Sequence, residues 1–270
     1  MSRIVLAFDT TTEHIAIGLA EITPGAFRVL AEADFAAPRA ALGRLLPAVH
    51  CLMADAGVSG SDITAVAVGR GPGSFTGVRI AVATAKGLAH GFGVPLAGFG
   101  TLDAVAWRLA AHEGLVGVVG DAMRGEVYPS AFSCGDGRVE RLDEYHVARP
   151  TEAAAAWAGL GQPMLLAGNG LQKYRDVFAE VLGPSAVFAE ESLWTPTGAS
   201  AISAALAERV SPSLAGALMN PQGTGMHPGV LLPVYTRLSD AEESERHQAG
   251  LTAAVVPPGG VAGAGPGARS

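Results

Sequence analysis

Residues 69–80 read Gly69-Arg70-Gly71-Pro72-Gly73-Ser74-Phe75-Thr76-Gly77-Val78-Arg79-Ile80. An apolar run, Ile63 to Val68, precedes the string, and a helical pattern to about Gly91 follows it. The spacing predicts a buried strand, a turn on glycines and a helix start. Ser74 suits the N-cap, where its hydroxyl accepts a bond from a first-turn amide. A helix N-terminus offers unpaired N–H groups and partial positive charge, which suit phosphate or carboxylate. The glycines admit the close approach of a ligand or of another stretch of backbone. Two phosphate-binding motifs fail here. Gly71, Gly73 and Gly77 leave one residue too many in the last gap of G-x-G-x-x-G, and Lys86 is followed by Gly87 rather than Ser or Thr. Tight packing and ligand contact both remain open readings of the glycines.

Outward from this string the periodicity alternates. Arg3 to Phe8, His14 to Ile22 and Arg28 to Phe35 read as strands, with Pro24-Gly25 a hairpin turn. Leu42, Leu45, Leu46, Val49, Leu52, Met53 and Ala56 form an apolar helical stripe, with a kink or restarted turn expected at Pro47. Val94 to Phe99 is a strand, and Thr101 is expected to cap a helix to about His112. The second half repeats the order. Leu115 to Gly120, Glu126 to Ser133 and Arg138 to Val147 read as strands, with a turn at Gly135-Asp136-Gly137. A helix from Pro150 to about Ala158, a strand Met164 to Ala167, a helix Leu171 to Leu182, a strand Ala186 to Ala189 and a helix Thr197 to Val210 follow. Each half therefore reads strand-strand-strand-helix-strand-helix-strand-helix. This doubled α/β order is that of the actin-like ATPase (ASKHA) fold, two similar lobes about a cleft. The expected division is 1–113 and 114–240. The Pro/Gly-rich end, 241–270, is expected to be a disordered tail.

Composition narrows the function classes. Hydrophobic residues make up 49% and charged residues 16%, so the chain can bury a large core. The net charge of −7 argues against strong binding of nucleic acid by this chain alone. The start Met1-Ser2-Arg3 shows no leader pattern, and prolines and glycines break the charge-poor run after Ser213, so a cytoplasmic chain without a membrane span is expected. Cys51 and Cys134 are expected to be two buried thiols. The histidines, His14, His50, His90, His112, His146, His227 and His247, are all more than five residues apart, so a paired-histidine metal site is missing locally. No G-x-S-x-G nucleophile elbow occurs either.

The string from Gly69 to Ile80, with Ala83-Thr84-Ala85-Lys86-Gly87-Leu88-Ala89 after it, resembles the signature of the bacterial TsaB (YeaZ) family. Leu6-Ala7-Phe8-Asp9-Thr10-Thr11-Thr12 is similar to that family's opening strand, and Leu45-Leu46-Pro47 to its first helix. Asp121-Ala122-Met123-Arg124-Gly125-Glu126-Val127-Tyr128 and Pro233-Val234-Tyr235-Thr236-Arg237 resemble its second-lobe entry and closing segment. Ala40-Ala41-Leu42 departs from the family's His-Ser-Glu-like helix start. The resemblance implies a non-catalytic subunit that pairs with the threonylcarbamoyltransferase TsaD. The pair, joined by the ATPase TsaE, would modify N6 of the adenosine next to the anticodon in tRNAs reading ANN codons. It implies no cofactor in this chain, and leaves room for a nucleotide at the TsaD junction and for a homodimer when TsaD is absent. tRNA would be met only through the complex.

Candidate residues fall in two groups. Asp9 either organises metal and phosphate, as in actin-like ATPases, or ties down its own turn with Thr10 to Thr12, which the resemblance favours. With Asp9 and Thr10, the string Arg70, Gly71, Pro72, Gly73, Ser74, Phe75, Thr76, Gly77 and Arg79 forms a candidate nucleotide or anion contact. Arg70 and Arg79 either clamp an anion or pair with carboxylates. Asp121, Glu126 and Tyr128 are candidates to face the cleft. The second group is a candidate partner interface: Leu45, Leu46 and Val49 on one helix, and the ridge Gly77, Ala81, Ala85, Ala89 on the next. The four-residue spacing of the ridge lets a neighbouring helix come close, whether from a partner or from this chain's own layers.

Overall fold

The computed structural model describes residues 3–207 and 231–234. The tail expected at 241–270 and the end of the closing segment, Tyr235-Thr236-Arg237, lie outside the described residues, all of which fall in one unit, Met1–Thr236.

The first lobe is built from β1 (Arg3–Asp9), β2 (His14–Thr23), β3 (Ala26–Ala36), α1 (Ala41–Asp55), β4 (Ile63–Gly69), α2 (Phe75–Phe92), β5 (Leu96–Phe99) and α3 (Thr101–Trp107). The second adds β6 (Gly114–Met123), β7 (Glu126–Gly135), β8 (Arg138–Arg141), α4 (Pro150–Ala158), β9 (Met164–Ala167), α5 (Leu171–Leu182), β10 (Ala186–Phe188) and α6 (Gly198–Ala207). The sheets are ordered β3-β2-β1-β4-β5 and β10-β9-β6-β7-β8. In each, the first strand pairs antiparallel with the second and parallel with the fourth. The two sheets thus have the same topology, read from opposite ends.

The central strand β1 is buried on both faces, as a strand covered by helices on both sides must be. Side chains alternate across it. Leu6 and Phe8 join the core beneath α1 and α2, while Val5 and Ala7 join the core beneath α6. α3 divides its side chains between layers. Ala104 packs with the first sheet, whereas Leu102, Val105 and Ala106 pack into the second lobe's core.

Four expectations are corrected. The helix expected from Thr101 to His112 ends at Trp107, and the chain tightens into i to i−3 bonds through Arg108, Leu109 and Ala110. The strand expected over Arg138 to Val147 stops at Arg141, because the Asp143 carboxylate takes the next ladder donor, Ala131 N, at 3.1 Å. Tyr145 and Val147 then pack on the second lobe's core. Of the kink or restarted turn expected at Pro47, the restart does not occur: α1 continues through it. Cys134 is buried as expected, but Cys51 stands exposed on α1, away from the side that buries Val49, Leu52 and Met53.

The division at 114–240 is corrected for one element. α6 closes the second repeat in sequence, yet Ala201, Ile202, Ala204 and Ala205 pack on the first sheet with Val5, Ala20, Ala65 and Phe99. Two β3 carboxylates hold its N-terminus. Asp34 Oδ1 accepts from Gly198 N and Glu32 Oε2 from Ala199 N, both at 3.0 Å. Negative charge there also suits the helix dipole. Arg108 braces the approach to α6 by donating to the Thr195 carbonyl at 3.1 Å.

Desolvation, with the Glu32 charge behind it, pushes the Asp34 carboxyl up to about 6. The folded state therefore holds this proton more tightly than the unfolded chain, whose Asp titrates near 3.8. Ionising Asp34 opposes folding, so its contribution falls as pH rises through the window from about 4 to 6. Asp34→Asn, which keeps an acceptor for Gly198, is expected to gain stability relative to the parent between pH 4 and pH 7. Melting curves at the two pH values check this; an equal gap at both would exclude Asp34 as the titrating group.

Candidate functional site

The glycine string lies where β4 ends and α2 begins, directly over the turn that follows β1. Ser74 is the N-cap as expected, its Oγ accepting from Gly77 N at 3.3 Å. Below it, Asp9 is buried. Its Oδ1 accepts from Thr11 N at 2.6 Å and its Oδ2 from Thr101 Oγ1 at 2.7 Å. Thr11 Oγ1 lies 2.8 Å from Thr101 Oγ1, and Thr10 Oγ1 donates to the Gly77 carbonyl at 2.8 Å. Burial pushes the Asp9 carboxyl above its ordinary range, against the lowering effect of the Thr101 and Thr11 bonds. Both oxygens are thus committed within the chain. Thr101 is not a cap; Gly100 holds that position, and the hydroxyl reaches 92 residues back to Asp9.

This contact explains the glycines. A Cβ on Gly69 would stand 1.9 Å from Asp9 Oδ2, one on Gly73 2.6 Å from the Thr11 carbonyl oxygen, and one on Gly77 2.1 Å from the Thr10 carbonyl oxygen. Close approach is required, and what approaches is the β1 turn. Two opposed effects meet at Gly77. Replacing a helical Gly by Ala gains about 1 kcal/mol of propensity, but here the methyl would meet fixed backbone. Gly77→Ala is expected to destabilise by about 2 kcal/mol. Gly87→Ala, with nothing within 4 Å of the added carbon, is expected to stabilise by about 0.5–1 kcal/mol. Chemical denaturation of both variants reads the difference directly.

The remaining members of the string are similarly placed. Gly71 and Pro72 are buried, and Phe75 and Thr76 are exposed at the start of α2. Arg70 Nη1 donates to the Leu232 carbonyl at 3.4 Å, and its backbone carbonyl accepts from Val234 N at 2.8 Å. The closing segment therefore runs beside the loop. Arg79 stacks over the Phe75 ring, 3.7 Å from its centroid. Thr11, Gly73 and Thr101 face Asp121, Tyr128 and Trp194 across the cleft between the lobes, around a cavity of about 20 Å³. Glu126 does not line it. That space suits a single water, whereas small-ligand pockets run to several hundred Å³. Among the described residues no three His, Cys, Asp or Glu side chains gather as metal ligands.

The candidate interface is corrected by burial. Ala81, Ala85 and Ala89 are at most 1% exposed and, with Leu45 and Val49, belong to the core between α1, α2 and the first sheet. Gly77 is buried on the Thr10 carbonyl. The ridge thus faces inward: small side chains let α2 lie close to its own layers. Of the interface candidates only Leu46 reaches the surface, 48% exposed, next to Leu42 at 77%. The outward stripe of α2 begins two residues along, as Arg79, Ala83, Gly87 and His90. Leu42 falls at helical spacing four residues before Leu46, and its exposure was the signal that periodicity alone could not separate from the core stripe.

Two lobes of one topology, with the glycine string and the turn after β1 lining the cleft between them, define an actin-like chain. Residues 36–218 match the family described as TsaD: tRNA N6-adenosine threonylcarbamoyltransferase. The tRNA threonylcarbamoyladenosine biosynthesis protein TsaB of Escherichia coli is 34% identical over 181 residues, covering 65% of this chain and 75% of that protein. TsaB of Bacillus subtilis is 30% identical over 183 residues, covering 66% and 76%. A Pseudomonas aeruginosa protein of solved structure, described as similar to peptidase YeaZ, superposes with a TM-score of 0.67 at 30% identity, over 87% of this chain and all of the other. The chain belongs to the TsaB (YeaZ) family. No helix among its described residues is long and apolar enough to cross a membrane.

Proposed function

We propose that this chain is a non-catalytic partner subunit of a TsaD-type threonylcarbamoyltransferase, acting in N6-threonylcarbamoylation of the adenosine next to the anticodon in tRNAs reading ANN codons. The observation that carries the reading is the outward face of α1 and α2. α1 exposes Leu42 and Leu46, and α2 exposes the small residues Ala83 and Gly87, and small outward residues let a partner helix pack closely. The commitment of Asp9 and of the glycine string to each other supports a role without phosphate chemistry in this chain's own cleft. In this reading TsaD carries the catalytic groups, TsaE joins the pair, any nucleotide sits at the TsaD junction, and tRNA is met through the assembly in the cytoplasm.

The rival is an actin-like ATPase or a metallopeptidase working alone. Light scattering of the chain with and without its cognate TsaD, alongside ATP-hydrolysis and peptidase assays, separates the two. The expected result is a heterodimer with TsaD and, for the isolated chain, no turnover of ATP or peptide above buffer. Turnover by the isolated chain at ordinary enzymatic rates would overturn the proposal.

A further inference from the structure

The charge on the α1–α2 face runs against that of the whole chain. The full sequence carries 25 acidic and 18 basic residues. Yet from Pro38 to Phe92 there are five basic residues, Arg39, Arg44, Arg70, Arg79 and Lys86, and two acids, Asp55 and Asp62. α2 contains no acid at all, and the one acid of α1 is its last residue. Asp55 lies about 16 Å along the helix from Arg44 at 1.5 Å per residue. Asp62 is turned back on its own loop, accepting from Ser59 N at 2.8 Å. Two of the cations are held in fixed positions by aromatic rings. Arg44 lies 4.5 Å over Phe35 and donates to the Ala36 carbonyl, and Arg79 stacks on Phe75. Arg39 is exposed at the head of α1, and Lys86 lies half-buried on α2.

We propose that the partner seated on α1 and α2 is a protein surface with an acidic rim, whose carboxylates meet Arg39, Arg44 and Lys86 while its apolar part covers Leu42 and Leu46. This rests on the docking face proposed above and adds the chemistry of its occupant. A polynucleotide fits less well, because three cations sharing a face with two exposed leucines make a small phosphate footprint. A second copy of this chain fits less well too. A two-fold interface sets the same rim against itself, so like charges would oppose across it. The two protein occupants therefore have opposite salt dependence. Salt screens the attraction to an acidic partner and the repulsion between two copies alike.

The test measures association and dissociation rates with the cognate TsaD from about 50 to 500 mM salt, for the parent, for Arg44→Glu/Lys86→Glu and for Ala83→Arg. Melting curves establish that each variant is folded. Self-association and retention of labelled tRNA are followed in parallel. The expected results are an association rate that falls about tenfold across the salt range, and a reversal variant about tenfold slower at low salt, within the span of electrostatic steering. Dissociation should change less, and self-association should strengthen with salt. An association rate indifferent both to salt and to charge reversal would overturn the acidic rim, while loss of binding in Ala83→Arg alone would leave the docking face standing. Unchanged binding in Ala83→Arg would instead overturn the face itself. Reversal that spares TsaD but releases tRNA would assign the surface to RNA and overturn the proposal.

Discussion

Ala85→Arg is expected to unfold the chain. Ala85 is fully buried between α1, α2 and the first sheet, among Val49, Val66 and Val82. An arginine there must displace packed side chains and leave a cation without a partner. Overpacking costs about 1–3 kcal/mol and an uncompensated buried charge about 3–5 kcal/mol, together comparable with the roughly 5–15 kcal/mol that holds a domain folded. A melting curve with no cooperative transition, or one displaced downward by more than about 15 °C, is the expected outcome. A near-parental transition would mean that the α2 helix is rotated from the position described.

Ala83→Arg, two residues earlier on the same helix, is expected to behave in the opposite way. Ala83 is exposed, so in the isolated chain the new guanidinium reaches water and the melting temperature should move little. Seated against a partner, the same side chain would hold the helices apart and lie unpaired in the centre of the contact. The expected loss is about 2–5 kcal/mol, roughly 30-fold to several-thousand-fold in affinity for TsaD. The two variants share one substitution and one helix, so their contrast isolates the face. If Ala83→Arg bound TsaD as tightly as the parent, the partner would have to be sought on another surface.

The glycine string resists the reading in which it cradles a ligand by virtue of its composition alone. Gly-rich turns before a helix are also what a chain needs when its own backbone must pass within contact distance. Three of these glycines meet Asp9, Thr10 and Thr11. The turn that would carry phosphate chemistry in an actin-like ATPase is thereby used to lock β1, α2 and α3 into one unit, with Thr101 as the third point of attachment. A protein whose proposed work is to present one face to a partner gains from this rigidity, since a preformed surface has less order to acquire on binding.

Much of this architecture is legible in the sequence because its signals are local. Strand and helix order follows from the switch between period 2 and period 3.6, from the glycine turns, and from Ser74, which caps an amide three residues away. What the tertiary structure alone decides are the choices that local signals leave balanced. On α2 the stripes Gly77-Ala81-Ala85-Ala89 and Ala83-Gly87 are both small, and periodicity cannot say which one lies against the sheet. The inward one is set by how closely α1 and β4 approach. Thr101 reads as a helix cap until Asp9, 92 residues earlier, takes its hydroxyl. Asp143 reads as a strand residue until it takes the place of a strand at Ala131. α6 reads as the end of the second lobe until Glu32 and Asp34 draw its N-terminus onto the first. In each case the deciding partner lies outside the local window, through a contact that only the closed fold makes.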